Sequence, residues 1–99
     1  MNYKLEFSPD VEGYLKVLAR RNQATLLDAI EKQLAYQPTN ETRNRKPMRP
    51  NPIAPWELRV GSMRVYYDVQ ETPKKIVYII AVGIKKRNQV WIGKELFRL

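Results

Sequence analysis

Apolar and polar residues alternate from Tyr3 to Phe7, the period of a half-buried strand. Ser8-Pro9-Asp10 then marks a helix start: Ser8 can cap, Pro9 suits the first helical position, and Asp10 and Glu12 suit the positive end of the dipole. Val11, Tyr14, Leu15 and Leu18 form an i, i+3, i+4, i+7 stripe. Arg20-Arg21 has the charge sign to close this helix, and Asn22 can cap the next. A second helix is expected from about Ala24 to Tyr36, with Leu27, Ile30 and Leu34 buried, Leu26 at the edge and Pro38 ending it.

Residues 37–55 follow neither period. They hold five of the seven prolines, together with Arg43, Arg45, Lys46 and Arg49. Proline supplies no ladder donor, so this is expected to be a long ordered or semi-ordered connection. Such loops are usually functional or mobile. Its basic cluster reads equally as a nucleic-acid groove or as a solvated face.

From Trp56 the period becomes two. Trp56, Leu58 and Val60 alternate with Glu57 and Arg59, and Gly61-Ser62 is a two-residue hairpin signal with glycine first. The chain returns through Met63, Val65, Tyr67 and Val69. After Pro73 comes a nearly continuous apolar run, expected to be a central strand covered on both faces and ended by Gly83. Val90-Trp91-Ile92 is a last strand or turn before a tail to Leu99. The fold expected is α+β. A small antiparallel sheet of about four strands, in the order β-α-α-β-β-β, carries a two-helix hairpin on one face. Residues 1–99 are read as a single domain.

Composition narrows the chemistry. The chain has 99 residues and neither cysteine nor histidine. Disulfides, thiolate chemistry and the commonest neutral-pH base are therefore absent, and neither a metal site nor a cofactor is expected. The longest apolar run, Ile76 to Val82, is far shorter than the roughly 20 residues a membrane helix needs. No signal peptide is visible, so a soluble cytoplasmic protein is expected. The net charge is +8. Residues 1–40 are balanced, with five Lys/Arg and five acids, so the whole excess lies in residues 41–99. A one-sided excess points to a polyanion: nucleic acid, an acidic protein or an anionic membrane surface.

The hairpin signal fixes a register. With Gly61-Ser62 as the loop, Val60 faces Met63, Arg59 faces Arg64 and Leu58 faces Val65. Arg59, Arg64, Glu57 and Tyr66 then share the face away from the core. Two opposed arginines repel unless an anion lies between them. Either a bound phosphate or a salt-bridged exposed face meets that need. Lys85, Lys86 and Arg87 leave the central strand toward the same region. Basic side chains interleaved with Trp56, Tyr66 and Trp91 suit RNA, since cations hold phosphates and aromatics stack on unpaired bases.

The ordered pattern resembles the RelE/ParE superfamily of bacterial toxins over nearly the whole chain. Its strongest pieces are Trp56-Glu57-Leu58-Arg59-Val60-Gly61, Arg64-Val65-Tyr66-Tyr67 and Ile80-Ala81-Val82-Gly83. The RelE-like resemblance implies a toxin that cuts mRNA on the ribosome without metal and leaves a cyclic phosphate. It also implies a cognate antitoxin partner. Carried over by position, Arg59, Arg64 and Lys85 are the catalytic residues. Arg43, Arg45, Lys46, Arg49, Lys86, Arg87 and Trp91 are the expected RNA contacts. Trp91 stands where the family often has an acid–base Tyr or His, and indole cannot carry a proton. Glu57 or Tyr66 is left as the acid–base group. Two alternatives stay open: a ParE-like inhibitor of DNA gyrase, and a non-catalytic RNA-binding module.

Overall fold

The computed structural model describes residues 2–99. The chain runs β1 (Lys4–Phe7), α1 (Val11–Lys16), α2 (Arg20–Leu34), β2 (Arg45–Pro47), β3 (Trp56–Val60), β4 (Met63–Gln70), β5 (Ile76–Lys86), β6 (Gln89–Ile92) and β7 (Glu95–Phe97). The fold is α+β with two helices, as expected, but among the described residues the strands number seven rather than about four. The additions are short: β2 lies inside the proline-rich connection, β6 is the segment read as a last strand or turn, and β7 rises from the expected tail to pair with it. The order across the sheet is β2-β3-β4-β5-β6-β7. One pairing departs from the antiparallel expectation. β1 runs parallel to the first half of β5, from Lys4 opposite Ile76 to Phe7 opposite Ile79.

The helices begin and end elsewhere than the sequence suggests. α1 stops at Lys16, and Arg20 and Arg21 open α2 instead of closing α1. Two cations at a helix N-terminus cost about 0.3–1 kcal/mol each. Burying a leucine contributes roughly 1.5–3 kcal/mol, and the tight corner seals both Leu18 and Leu26. Packing therefore wins over charge sign. The buried stripe of α2 is Leu26, Ile30 and Leu34, while Leu27, expected inside, is 39% exposed. Ser8 does not cap α1 with its side chain; its hydroxyl donates to the Ile80 carbonyl at 2.8 Å.

The sheet is covered on both faces, which explains the apolar run of β5. One core joins Val11, Leu18, Leu26, Ile30 and Leu34 to Leu58, Val65, Tyr67, Val77, Ile79 and Val82. On the other face a smaller core joins Tyr66, Ala81, Val90 and Ile92 to Ala54, with Met48, Ile53, Phe97 and Leu99 packed against it. A bulge reconciles the two. Tyr66 pairs with Ala81 but Tyr67 pairs with Ile79, so Ile80 is an extra residue in β5. Gly83 does not end β5, which continues to Lys86. Glycine is needed there because β6 passes close by: a Cβ would lie 2.5 Å from the Trp91 carbonyl oxygen.

Candidate nucleic-acid interface

The β3–β4 hairpin adopts the register read from the sequence. Val60 pairs with Met63, Arg59 with Arg64, Leu58 with Val65 and Glu57 with Tyr66. Gly61 opens the two-residue turn at φ 61°, a conformation that favours glycine. The opposed arginines are reconciled from inside the chain. Glu57 is only 6% exposed, and its Oε1 accepts from Arg59 Nε at 2.9 Å and lies 4.0 Å from Arg64 Nε. Arg64 Nη1 donates to the carbonyls of Gly61 (2.7 Å) and Met63 (2.9 Å), latching the turn. Arg64 Nε is buried without a hydrogen-bond partner.

Beside this cluster lies an open depression of about 400 Å³. Its charged lining is Lys46 from β2, Arg49 from the connection, Glu57 and Arg59 from β3, Lys85 from β5 and Arg98 beyond β7. Five cations thus surround one carboxylate, which is already engaged. Lys46 pairs instead with the exposed Glu41 at 3.5 Å. Among the described residues, Arg49, Lys85 and Arg98 have no carboxylate within 4 Å. A concave surface lined by one sign of charge concentrates counter-ions, so this one attracts anions.

Local structure holds the wall in place. Asn51 donates to the carbonyls of Arg49 (2.7 Å) and Ala54 (2.9 Å), and its Oδ1 accepts from the amides of Ile53 (2.8 Å) and Ala54 (3.0 Å). Met48 N donates to Pro55 O at 2.8 Å, closing the loop at its base. At the other side, Lys85 N donates to Ser62 O at 2.8 Å and ties the end of β5 to the hairpin turn. The proline-rich connection is therefore an ordered side of the depression.

Of the residues singled out from sequence, Arg59, Lys85, Lys46, Arg49 and Glu57 meet in this depression. Arg64 is not in its lining and touches it only through Glu57, 4.0 Å away. Arg45 does not belong with them. It is 8% exposed, and its guanidinium donates to Asn40 O (3.0 Å), Gln33 O (2.9 Å) and Gln33 Oε1 (2.9 Å), so it ties the connection to α2 rather than facing RNA. Arg43 is exposed outside the depression. Tyr66 is sealed in the second core, and its hydroxyl is buried with no hydrogen-bond partner. Burial, then the nearby Glu57 carboxylate, pushes that hydroxyl well above the ordinary tyrosine range. It is therefore a poor proton carrier near neutral pH.

Trp91 lies on the wrong side for the role expected of it. It pairs with Ile84, which pairs with Met63 of the helix-side core, whereas Lys85 pairs with Val90 on the opposite face. The indole, 40% exposed, is thus across the sheet from Arg59 and Lys85. Register puts Lys86 on the Trp91 side as well. Arg87 stands at the β5–β6 turn, lining a separate depression with Asn88, Gln89 and Arg98. The sequence reading missed Arg98 and Asn51. Arg98 sat in what looked like a tail, and only the β6–β7 hairpin returns it to the site.

No family model matches the chain, and no curated protein matches it. Among solved structures, the chain is similar to one from the toxin–antitoxin complex RelBE2 of Mycobacterium tuberculosis. The TM-score is 0.74 and the identity 22%, covering 86% of this chain and 93% of the other. The fold is therefore RelE-like.

Proposed function

We propose that this protein is the toxin of a toxin–antitoxin pair and cleaves mRNA on the ribosome. The observation that carries this reading is the depression on a RelE-like fold. It gathers Arg59, Lys85, Lys46, Arg49 and Arg98 around a single carboxylate. In the proposed reaction an RNA phosphate enters beside Arg59 and takes over part of the interaction Glu57 makes with the guanidinium. The freed Glu57 carboxylate accepts the proton of the 2′-hydroxyl. That oxygen attacks the phosphorus, the bond to the 5′-oxygen breaks, and the leaving oxygen takes a proton from Lys85. The products are a 2′,3′-cyclic phosphate and a 5′-hydroxyl. Arg59, with Arg64 behind it, stabilises the charge that grows on the phosphorane. The reaction places the protein in the cytoplasm with the ribosome.

The RelBE2 structure is a toxin–antitoxin complex, which supports an antitoxin partner here. A groove of about 420 Å³ lined by Phe7, Pro9, Val11, Leu15 and Leu27 suits the apolar face of an amphipathic segment. A non-catalytic RNA-binding module is the second reading. It is favoured by the sealed Tyr66 hydroxyl and by Trp91 lying across the sheet, which leave Glu57 as the one proton acceptor beside the arginines. Translation-coupled cleavage in a bacterial extract, mapped by primer extension, tests the proposal with wild type beside Arg59→Ala and Lys85→Ala. Cuts at ribosome-occupied codons that disappear in both folded variants support it. Intact mRNA with wild-type protein overturns it. RNA binding would then favour the second reading, and gyrase-dependent DNA cleavage a ParE-like one.

A further inference from the structure

Arg98 belongs to two depressions at once. It lines the first, of about 400 Å³, with Arg59 and Lys85, and a second, of about 550 Å³, with Arg87, Asn88 and Gln89. The reason is topological. β7 returns beside β6 with Phe97 opposite Val90, so the next residue, Arg98, comes up beside the β5–β6 turn. The second depression has no acidic residue in its lining, and neither Arg87 nor Arg98 has a carboxylate within 4 Å among the described residues. Arg87 also holds a backbone conformation, φ 59°, that side chains other than glycine and asparagine rarely adopt. The two-residue β5–β6 hairpin turn asks that conformation of its first residue, as the β3–β4 turn does of Gly61.

We propose that the two depressions form one track for the backbone of single-stranded RNA. The strand crosses Arg59 and Lys85, passes Arg98 and reaches Arg87 at the turn. This rests on the RNA reading of the first depression and extends the substrate from one phosphate to a run of nucleotides. The free cations along the track are mostly arginines, whose planar fork binds phosphate and carboxylate alike, so the preference for RNA over an acidic protein rests on the residues between them. Asn88 and Gln89 add paired amide donors and acceptors of the kind that read base edges. Arg98 is the joint, since it alone borders both depressions.

The test measures binding of the full chain to a single-stranded RNA hexanucleotide, an RNA dinucleotide and polyglutamate across a salt series. The variants are Arg87→Gly and Arg98→Ala. Glycine at position 87 accepts the positive φ, so that variant folds without strain. The expected result is that Arg87→Gly lowers the ratio of hexanucleotide to dinucleotide affinity about fivefold. Its hexanucleotide salt slope should also fall by about 0.7, the value for one lost single-strand phosphate contact. Arg98→Ala should weaken hexanucleotide binding further. An unchanged ratio in Arg87→Gly, or polyglutamate bound as tightly as the hexanucleotide, overturns the track. A reduced ratio in a protein that cleaves nothing supports the track and removes only the nuclease reading.

Discussion

Glu57 and Arg59 sit two residues apart on β3, on the same face, with Glu57 Oε1 accepting from Arg59 Nε at 2.9 Å. The same oxygen lies 4.0 Å from Arg64 Nε, directly across the hairpin. One buried carboxylate therefore lies between a pair of opposed arginines, in the place the proposed mechanism gives to an RNA phosphate.

Glu57→Gln separates these roles. Without the carboxylate the arginines repel, and stability should fall by about 1–3 kcal/mol. The cost stays below that of a fully buried pair because Arg59 is partly exposed. Inorganic phosphate should then raise the melting temperature of the variant more than that of the wild type. RNA should bind more tightly while cleavage slows, since the proton acceptor is lost. Weaker RNA binding in a folded variant would show that Glu57 does not compete with phosphate.

Tyr66 and Tyr67 are adjacent, and both are fully buried, but they should respond oppositely to loss of the hydroxyl. Tyr67 donates to the Pro38 carbonyl at 2.6 Å, whereas the Tyr66 hydroxyl has no partner. Tyr67→Phe should cost about 1–2 kcal/mol, and Tyr66→Phe should be neutral or stabilising by about 1 kcal/mol. Burial is the first cause that raises both hydroxyls above the ordinary value of about 10. A group raised in the folded state favours folding while it stays neutral. That contribution is intact below about pH 10 and is lost as pH rises above it. Denaturant titrations at neutral and alkaline pH should therefore show a smaller alkaline loss in Tyr66→Phe than in wild type. Equal losses would mean Tyr66 has a partner or water access.

Arg45 shows how a basic residue in a basic loop can be structural. Its three hydrogen bonds fasten the connection to Gln33 of α2 and to Asn40. Arg45→Ala should cost about 2–3 kcal/mol, as expected for bonds made by a charged donor. The salt slope of RNA binding should remain that of the wild type. A reduced slope with unchanged stability would return Arg45 to the RNA face.

These cases mark how far the sequence could be read. The β3–β4 register follows from Gly61-Ser62 and strict alternation, and with it the opposition of Arg59 and Arg64. Both are local properties of the hairpin. The failures are non-local. Whether Leu26 or Leu27 faces the sheet depends on where α2 begins, which the Leu18 corner decides against the charges of Arg20 and Arg21. Trp91 was placed beside the arginines by its position after Gly83. The strand parity that puts it across the sheet exists only because β5 continues through that glycine. Arg98 enters the site only through the β6–β7 turn.

Gly83 offers the sharpest test of that strand continuation. Glycine inside a strand costs about 0.5–1 kcal/mol relative to alanine, so Gly83→Ala would stabilise β5 if nothing stood nearby. A Cβ there would instead meet Trp91 O at 2.5 Å, Ile92 Cγ1 at 3.0 Å and Val90 Cγ1 at 3.1 Å. The first of these is backbone, so β6 itself must move. Overpacking of this kind costs about 1–3 kcal/mol, which exceeds the propensity gain. Gly83→Ala should therefore lower the melting temperature, by about 4–8 °C for each kcal/mol in a chain of this size. Displacement of β6 should carry the β5–β6 turn with it and weaken hexanucleotide binding more than dinucleotide binding. A variant as stable as wild type would mean that β6 does not approach β5 at this point, and the route by which Arg98 reaches the site would have to be redrawn.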